Sequence, residues 1–293
     1  MNTAPASRLQ NLRSAHPEWN PWLSMVGQTL SEAADPAWEG FVPAISRHET
    51  QAPALAQAAI VLPIDFLNDW TKRLIRSAVA SGTAEMATLR AAEKPAMEAV
   101  QLFRAALCQD AGKLQQFARE SGADDKAFHS VAELLPLPFL QACGRRLPPR
   151  DASWPEGYCP TCGAWPAFVE VRGIERARYL RCGRCGDEWQ IHWLQCPFCD
   201  VNDHEQLASL VPQNGDSARA IDACKRCAGY VKSFTTLQGT EKLAVMINDL
   251  ASVDLDIAAV EHGYRRPPGP GYFLNVTVGY SESAFRRLFP RGR

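Results

Sequence analysis

The chain has almost no excess charge of either sign. Its 293 residues carry 31 Lys and Arg against 32 Asp and Glu, a formal net charge of −1. No global field therefore draws it to nucleic acid or to an acidic membrane surface. Long apolar runs are also scarce. The longest, residues 55–64, is interrupted by Gln57 and Pro63 and is about half as long as a bilayer-spanning helix requires, so no membrane insertion is expected. Arg8 and Arg13 are followed over residues 14–22 by a polar stretch containing Trp and Pro, not by the apolar core and small-residue cleavage site of an export signal. This reading is cytoplasmic. Cysteine is nearly missing from the first half, where only Cys108 and Cys143 occur. The other eight fall in four Cys-x-x-Cys pairs between Cys159 and Cys227. In a reducing compartment such pairs point to thiolate metal ligation, not to disulfides.

The first half reads as helical, because apolar residues recur at intervals of three and four while Pro and Gly sit mainly at segment ends. One segment starts at Pro63, runs through Phe66, Leu67, Trp70, Leu74, Ile75 and Ala78, and stops at Ser81-Gly82. A second runs from about Pro95 through Val100, Phe103 and Leu107 to Gly112, and a third spans residues 124–135 before Pro136. Composition changes at Leu147-Pro148-Pro149-Arg150, and the turn-rich stretch that follows is taken as the domain boundary.

Beyond it the pattern becomes period two. Phe168, Glu170 and Arg172 alternate with Val169 and Val171, Gly173 marks a turn, and residues 176–180 return as a strand. Trp189, Ile191 and Trp193 alternate in the next. Residues 207–234 repeat the plan, with a turn at Gln213-Asn214-Gly215-Asp216. The order knuckle, hairpin, knuckle, strand thus occurs twice, with 19 residues between knuckles in the first copy and 24 in the second. This is read as an internal duplication. A final helix is expected over residues 240–262, and the chain beyond Arg266 reads as tail.

The knuckles are Cys159-Pro160-Thr161-Cys162, Cys182-Gly183-Arg184-Cys185, Cys196-Pro197-Phe198-Cys199 and Cys224-Lys225-Arg226-Cys227. Two residues between thiolates let a tight turn aim both sulfurs at one ion, and two knuckles close a tetrahedral cage suited to Zn²⁺ or a single iron. Sequential pairing gives one site from Cys159, Cys162, Cys182 and Cys185 and another from Cys196, Cys199, Cys224 and Cys227. An interleaved pairing, with Cys182, Cys185, Cys196 and Cys199 around one ion, stays open because ten residues separate those knuckles. Four thiolates leave no open position for Lewis-acid hydrolysis, so no catalytic residue is assigned. The expected fold is α+β and multidomain: a helical domain over 1–150, rubredoxin- or zinc-ribbon-like modules over 151–195 and 196–238, and a C-terminal helix and tail over 239–293.

Other candidates take ordinary readings. Cys108 and Cys143 are taken as buried core cysteines, and His192 and His204 as surface or strand residues. Asp249, Asp254 and Asp256 read as a solvated acidic face, and Arg265-Arg266 as exposed charge. Residues 159–232 carry nine Lys and Arg and nine Asp and Glu, a balance that argues against phosphate binding. The aromatics Trp154, Tyr158, Trp165, Tyr179, Trp189, Trp193, Phe198, Tyr230 and Phe234 either pack between the ribbons or line a protein-binding surface.

Tyr158-Cys159-Pro160-Thr161-Cys162-Gly163, Arg178-Tyr179-Leu180-Arg181-Cys182 with Glu188-Trp189, the two later knuckles with Tyr230-Val231-Lys232, Asp249-Leu250-Ala251-Ser252 with Leu255-Asp256, and residues 261–264 together resemble the formate dehydrogenase accessory proteins, the FdhE family. The resemblance covers residues 155–265. It implies a cytoplasmic, non-enzymatic maturation factor that binds the catalytic subunit of a respiratory formate dehydrogenase before export, with two rubredoxin-like metal sites. Iron is the metal the resemblance favours, and zinc is the alternative. The rival readings are a rubredoxin-type one-electron carrier, disfavoured by the large helical domain, and a zinc-ribbon nucleic-acid-binding protein, disfavoured by the balanced charge.

Overall fold

The computed structural model describes residues 5–45, 52–92, 96–148, 154–212 and 218–281. The chain forms two compact units interleaved in sequence: one from Leu9–Ala44, Gln57–Ala142 and Asn275–Arg293, the other from Met1–Arg8, Ile45–Ala56 and Cys143–Leu274. The helices of the first half are α1 (Pro5–Ala15), α2 (Asn20–Ala33), α3 (Ile64–Ala80), α4 (Ala84–Ala87), α5 (Ala96–Leu107), α6 (Ala111–Ser121), α7 (Asp125–Leu134) and α8 (Leu137–Arg146).

The expected helices form for the reasons read from the sequence. In α3, Leu67, Trp70, Leu74, Ile75 and Ala78 make the buried stripe, and the Trp70 indole donates to the Leu135 carbonyl at 3.0 Å. The Asp124 carboxylate caps α7 by accepting from the Ala127 amide at 2.9 Å. The second helix ends earlier than Gly112. After Leu107 the chain turns through Gln109 at φ 55°, and Asp110 caps α6 through the Lys113 amide, so Gly112 lies inside a new helix.

The helical unit also contains two strands. β1 (Ala59–Pro63) pairs in parallel with β8 (Thr277–Ser281), in register from Ala59 opposite Thr277 to Pro63 opposite Ser281. Ile60 and Leu62 are buried and Ala59 and Val61 exposed, a period-two alternation over a short apolar run. The segment read as tail is therefore structured as far as Ser281, and residues 282–293 lie outside the described residues.

The second unit carries β2 (Phe168–Arg172), β3 (Ala177–Arg181), β4 (Glu188–Ile191), β5 (Leu207–Leu210), β6 (Arg219–Cys224) and β7 (Tyr230–Thr236). They form one six-stranded sheet in the order β4-β3-β2-β7-β6-β5. Each copy of the duplicated plan supplies three antiparallel strands. The copies fuse where β2 runs parallel to β7, from Phe168 opposite Lys232 to Arg172 opposite Thr236. The turn placed at Gln213-Asn214-Gly215-Asp216 lies outside the described residues.

One sheet face is covered by α9 (Ala244–Leu250) and α10 (Val253–Glu261). Ile221, Ala223 and Tyr230 pack on Leu255 and Ala259, and Ala167 and Phe168 pack on Val245. The single helix expected over residues 240–262 is thus two. The break falls at Ser252, whose hydroxyl donates to the carbonyls of Asn248 at 2.8 Å and Asp249 at 3.0 Å, offering the end of α9 an alternative to the next helical amide.

A charged layer lies between sheet and helices. Arg181 and Glu170, each 1% exposed, pair at 3.0 Å, and the Thr240 amide donates to Glu170 at 2.9 Å. Lys232, fully buried, places its ammonium 2.6 Å from Asp249 Oδ1 and 2.8 Å from Asp256 Oδ2. Arg266 reaches both carboxylates at 3.1 Å and donates to the Ala167 carbonyl at 3.0 Å. This corrects the reading of Asp249 and Asp256 as a solvated face and of Arg266 as exposed charge. Asp254 does face outward, paired with Arg219 at 2.7 Å, and Arg265 is exposed.

Candidate metal centres

The four knuckles share one backbone design. The first cysteine of each pair donates its amide to the carbonyl five residues on: Cys159 to Ala164 at 2.8 Å, Cys182 to Asp187 at 2.9 Å, Cys196 to Val201 at 2.9 Å and Cys224 to Gly229 at 2.8 Å. Closing that loop puts the fourth residue after the first cysteine in the left-handed region: Gly163 at φ 70°, Gly186 at 73°, Asp200 at 61° and Ala228 at 55°. Further amides bind sulfur, with Thr161 N and Gly229 N each 3.4 Å from Cys159 Sγ and Cys227 Sγ respectively.

The sulfurs gather into two clusters by sequential pairing. Cys159, Cys162, Cys182 and Cys185 form one, and Cys196, Cys199, Cys224 and Cys227 the other, with all four Sγ atoms of each within 4.8 Å of one another. The interleaved arrangement does not form. A tetrahedron with metal–sulfur bonds of about 2.3 Å has sulfur–sulfur edges of about 3.8 Å. Observed contacts are 3.4 and 3.5 Å in the first cluster and 3.8 and 3.7 Å in the second. Both donor sets fit a metal ion and offer only soft sulfur ligands.

The electrostatics show what an ion would relieve. Burial pushes the Cys159 and Cys185 thiols well above their ordinary value, whereas at Cys182 burial is outweighed by hydrogen bonds from the three neighbouring thiols, and it falls well below. In the second cluster burial raises Cys196, and lifts Cys227 to about 11. Burial also opposes the Cys224 thiolate, but the amides of Cys227 and Arg226 pull it down. Each cluster thus sets one lowered thiol beside two raised ones. A bound cation supplies the charge that lets all four ionise.

The remaining candidates take their places around the clusters. His192 and His204 are exposed and belong to neither cluster, while Cys143 is buried and Cys108 partly buried. Most of the aromatics pack internally. Trp154, Tyr158, Trp165 and Phe198 form a chain of edge contacts, with centroids 5.5, 6.3 and 5.3 Å apart in turn, running from the start of the first knuckle to the middle of the third. Trp193 is the exception at 52% exposed. The buried ion pairs were missed by sequence reasoning. The signal was there in Glu170 and Arg172, which share the alternation of the apolar Phe168.

Residues 180–274 match the family model described as FdhE, C-terminal domain. The chain resembles the FdhE proteins. An FdhE homologue of Pseudomonas aeruginosa is 34% identical over 117 residues, 38% of this chain and 38% of that protein. A homologue of Aquifex aeolicus is 30% identical over 149 residues, 50% of this chain and 52% of its own length. FdhE of Escherichia coli is 31% identical over 111 residues, 37% and 35% of the two chains. The matches thus span about a third to a half of these curated relatives. The crystal structure of FdhE from Pseudomonas aeruginosa superposes with a TM-score of 0.55 at 20% identity, covering 94% of this chain and 98% of that one, so the fold extends well beyond the matched segment. The FdhE-like segment begins at Leu180, so it includes the second, third and fourth knuckles, and the first lies just ahead of it. Among the described residues, no helix is long and apolar enough to cross a membrane.

Proposed function

We propose that this protein is a non-enzymatic accessory factor that binds the catalytic subunit of a formate dehydrogenase in the cytoplasm and assists its assembly before export. Cys159, Cys162, Cys182 and Cys185 hold one metal ion, and Cys196, Cys199, Cys224 and Cys227 a second. Iron is favoured and zinc is the alternative. The observation that carries the reading is the set of four knuckles, each on the same backbone turn and three of them inside the FdhE-matched segment, closing two four-sulfur cages. The ions pin ribbons too small to hold a core of their own, and if iron they add one-electron chemistry. A closed cage keeps no coordination position for substrate, which suits a binding role over catalysis.

The test is capture of the tagged full chain from its native cytoplasm, with mass spectrometry of its partners and metal analysis of the same eluate. Recovery of a formate dehydrogenase catalytic subunit supports the reading. Recovery of a flavin reductase or of nucleic acid, with no such subunit, overturns it in favour of an electron carrier or a nucleic-acid-binding ribbon.

A further inference from the structure

The duplication gives two cages of equal ligand count in very different surroundings. In the first, all four cysteines are fully buried. Four other segments close over it. The amides of Ala54 and Leu55 donate to the carbonyls of Pro160 and Thr161 at 2.8 and 3.1 Å, zipping a distant stretch onto the first knuckle. The Tyr272 amide donates to the Gly163 carbonyl at 2.9 Å. The end of α8 lies so close that a Cβ on Gly144 would stand 2.1 Å from the Cys185 carbonyl oxygen, and Lys242 also presses on Gly186, 2.6 Å from a Cβ placed there. The buried Thr161 hydroxyl donates to Asp187, tying the two knuckles to each other.

The second cage has fewer covers. Gly157 presses on the Pro197 carbonyl, and the Arg265 amide donates to the Ala228 carbonyl at 2.8 Å. Cys199 and Cys227 are nonetheless partly exposed, and Asp200, Lys225 and Arg226 beside them are exposed. Cys196 and Cys224 also line a cavity of about 220 Å³, with Trp193, Leu194 and Phe198 among its walls. Solvent therefore meets this cage at Cys199 and Cys227, and a cavity borders it at Cys196 and Cys224.

An ion leaves a closed thiolate cage only when an external donor reaches it or the surrounding structure opens, and local opening costs least where few contacts must break. We propose that the second cage is the exchange site of the protein and the first a fixed structural pin. Cys199 and Cys227 are the thiolates that yield first. One of them gives up its bond to the ion in favour of an incoming soft donor, a small thiolate or chelator, and the released sulfur takes a proton from water. The inference rests on the reading that both cages hold ions.

The test uses the full chain reconstituted with zinc and mixed with an excess of chromogenic chelator. The expected course is two phases of equal amplitude, one ion each, with rates separated by about tenfold or more. Alkylation of the zinc-loaded protein, mapped by mass spectrometry, is expected to label Cys199 and Cys227 ahead of the first-cage cysteines, and needs no variant. The Cys199→Ser, Cys227→Ser double variant should lose the fast phase and keep the slow one. Release of both ions in a single phase, or earlier labelling of Cys159, Cys162, Cys182 or Cys185, overturns the inference. Uptake of fewer than two zinc ions instead overturns the underlying two-site reading, so the two failures are separable.

Discussion

Replacing Lys232 by Met probes the charged layer beneath α9 and α10. Lys232 is fully buried, and its ammonium lies between Asp249 at 2.6 Å and Asp256 at 2.8 Å, with a third bond to the Asp249 carbonyl at 2.7 Å. With Arg266 the four side chains carry two charges of each sign. The substitution keeps the buried volume and strands one carboxylate, and breaking a buried pair from one side costs about 3–5 kcal/mol. With a urea slope of about 1–3 kcal/mol per molar, the midpoint should fall by at least about 1 M. The assay is urea unfolding of the cobalt-substituted protein, followed by the cobalt–thiolate absorption, which reports the unit containing both cages. The double variant Lys232→Met, Asp256→Asn restores charge balance against Arg266. It should recover about 1–3 kcal/mol relative to the sum of the two single losses. Were Asp249 and Asp256 the solvated face that their spacing suggests, each change would stay within about 0.5 kcal/mol. A midpoint unchanged in Lys232→Met, or simple additivity in the double variant, refutes the buried network.

Three further outcomes follow from the cages and the charged layer. Replacing Cys182 and Cys185 together by Ser should remove one of two bound ions, measured by elemental analysis of the purified protein, and impair client maturation; full metal retention contradicts the pairing. Ala228→Gly relieves a left-handed alanine and should raise the melting temperature by the equivalent of up to about 1 kcal/mol. Gly186→Ala, at φ 73° against Lys242, should lower it by about 1–3 kcal/mol, and equal effects of the two would contradict the shared turn. Acid should strip the metal, because protons compete for thiolates, and should also weaken the charged layer. At Glu170 burial alone would raise the carboxyl, but Arg181, Thr240 and Arg172 hold it below its ordinary value. Asp256 is likewise lowered, burial being outweighed by Arg266 and Lys232. Their stabilisation is therefore present above the unfolded carboxylate range and is lost as pH falls through the lower folded values. Stability of Glu170→Gln should accordingly depend less on acid pH than that of the parent, as read by thermal melts across the acid range.

What the sequence by itself determined is local. The eight cysteines stand in Cys-x-x-Cys pairs whose turn is made by residues adjacent in the chain, so the four knuckles were legible from spacing, while the choice between sequential and interleaved pairing came from the fold. The capped helices of the first half were legible for the same reason. In the first copy even the left-handed position shows as Gly163 and Gly186, whereas Asp200 and Ala228 hide it in the second.

Only the tertiary structure decided the rest, because it depends on partners far apart in the chain. Nothing near β2 specifies that it lies beside β7, yet that parallel seam turns two ribbons into one sheet. β1 becomes a strand through a partner more than two hundred residues away. Asp249 and Asp256 have the spacing of a solvated helix face but turn inward to a half-buried position because Lys232, buried on the neighbouring sheet, supplies their counter-charge. The difference between the two cages arises in the same way. Their ligands are alike in sequence, and what separates them is which distant segments fold over each one.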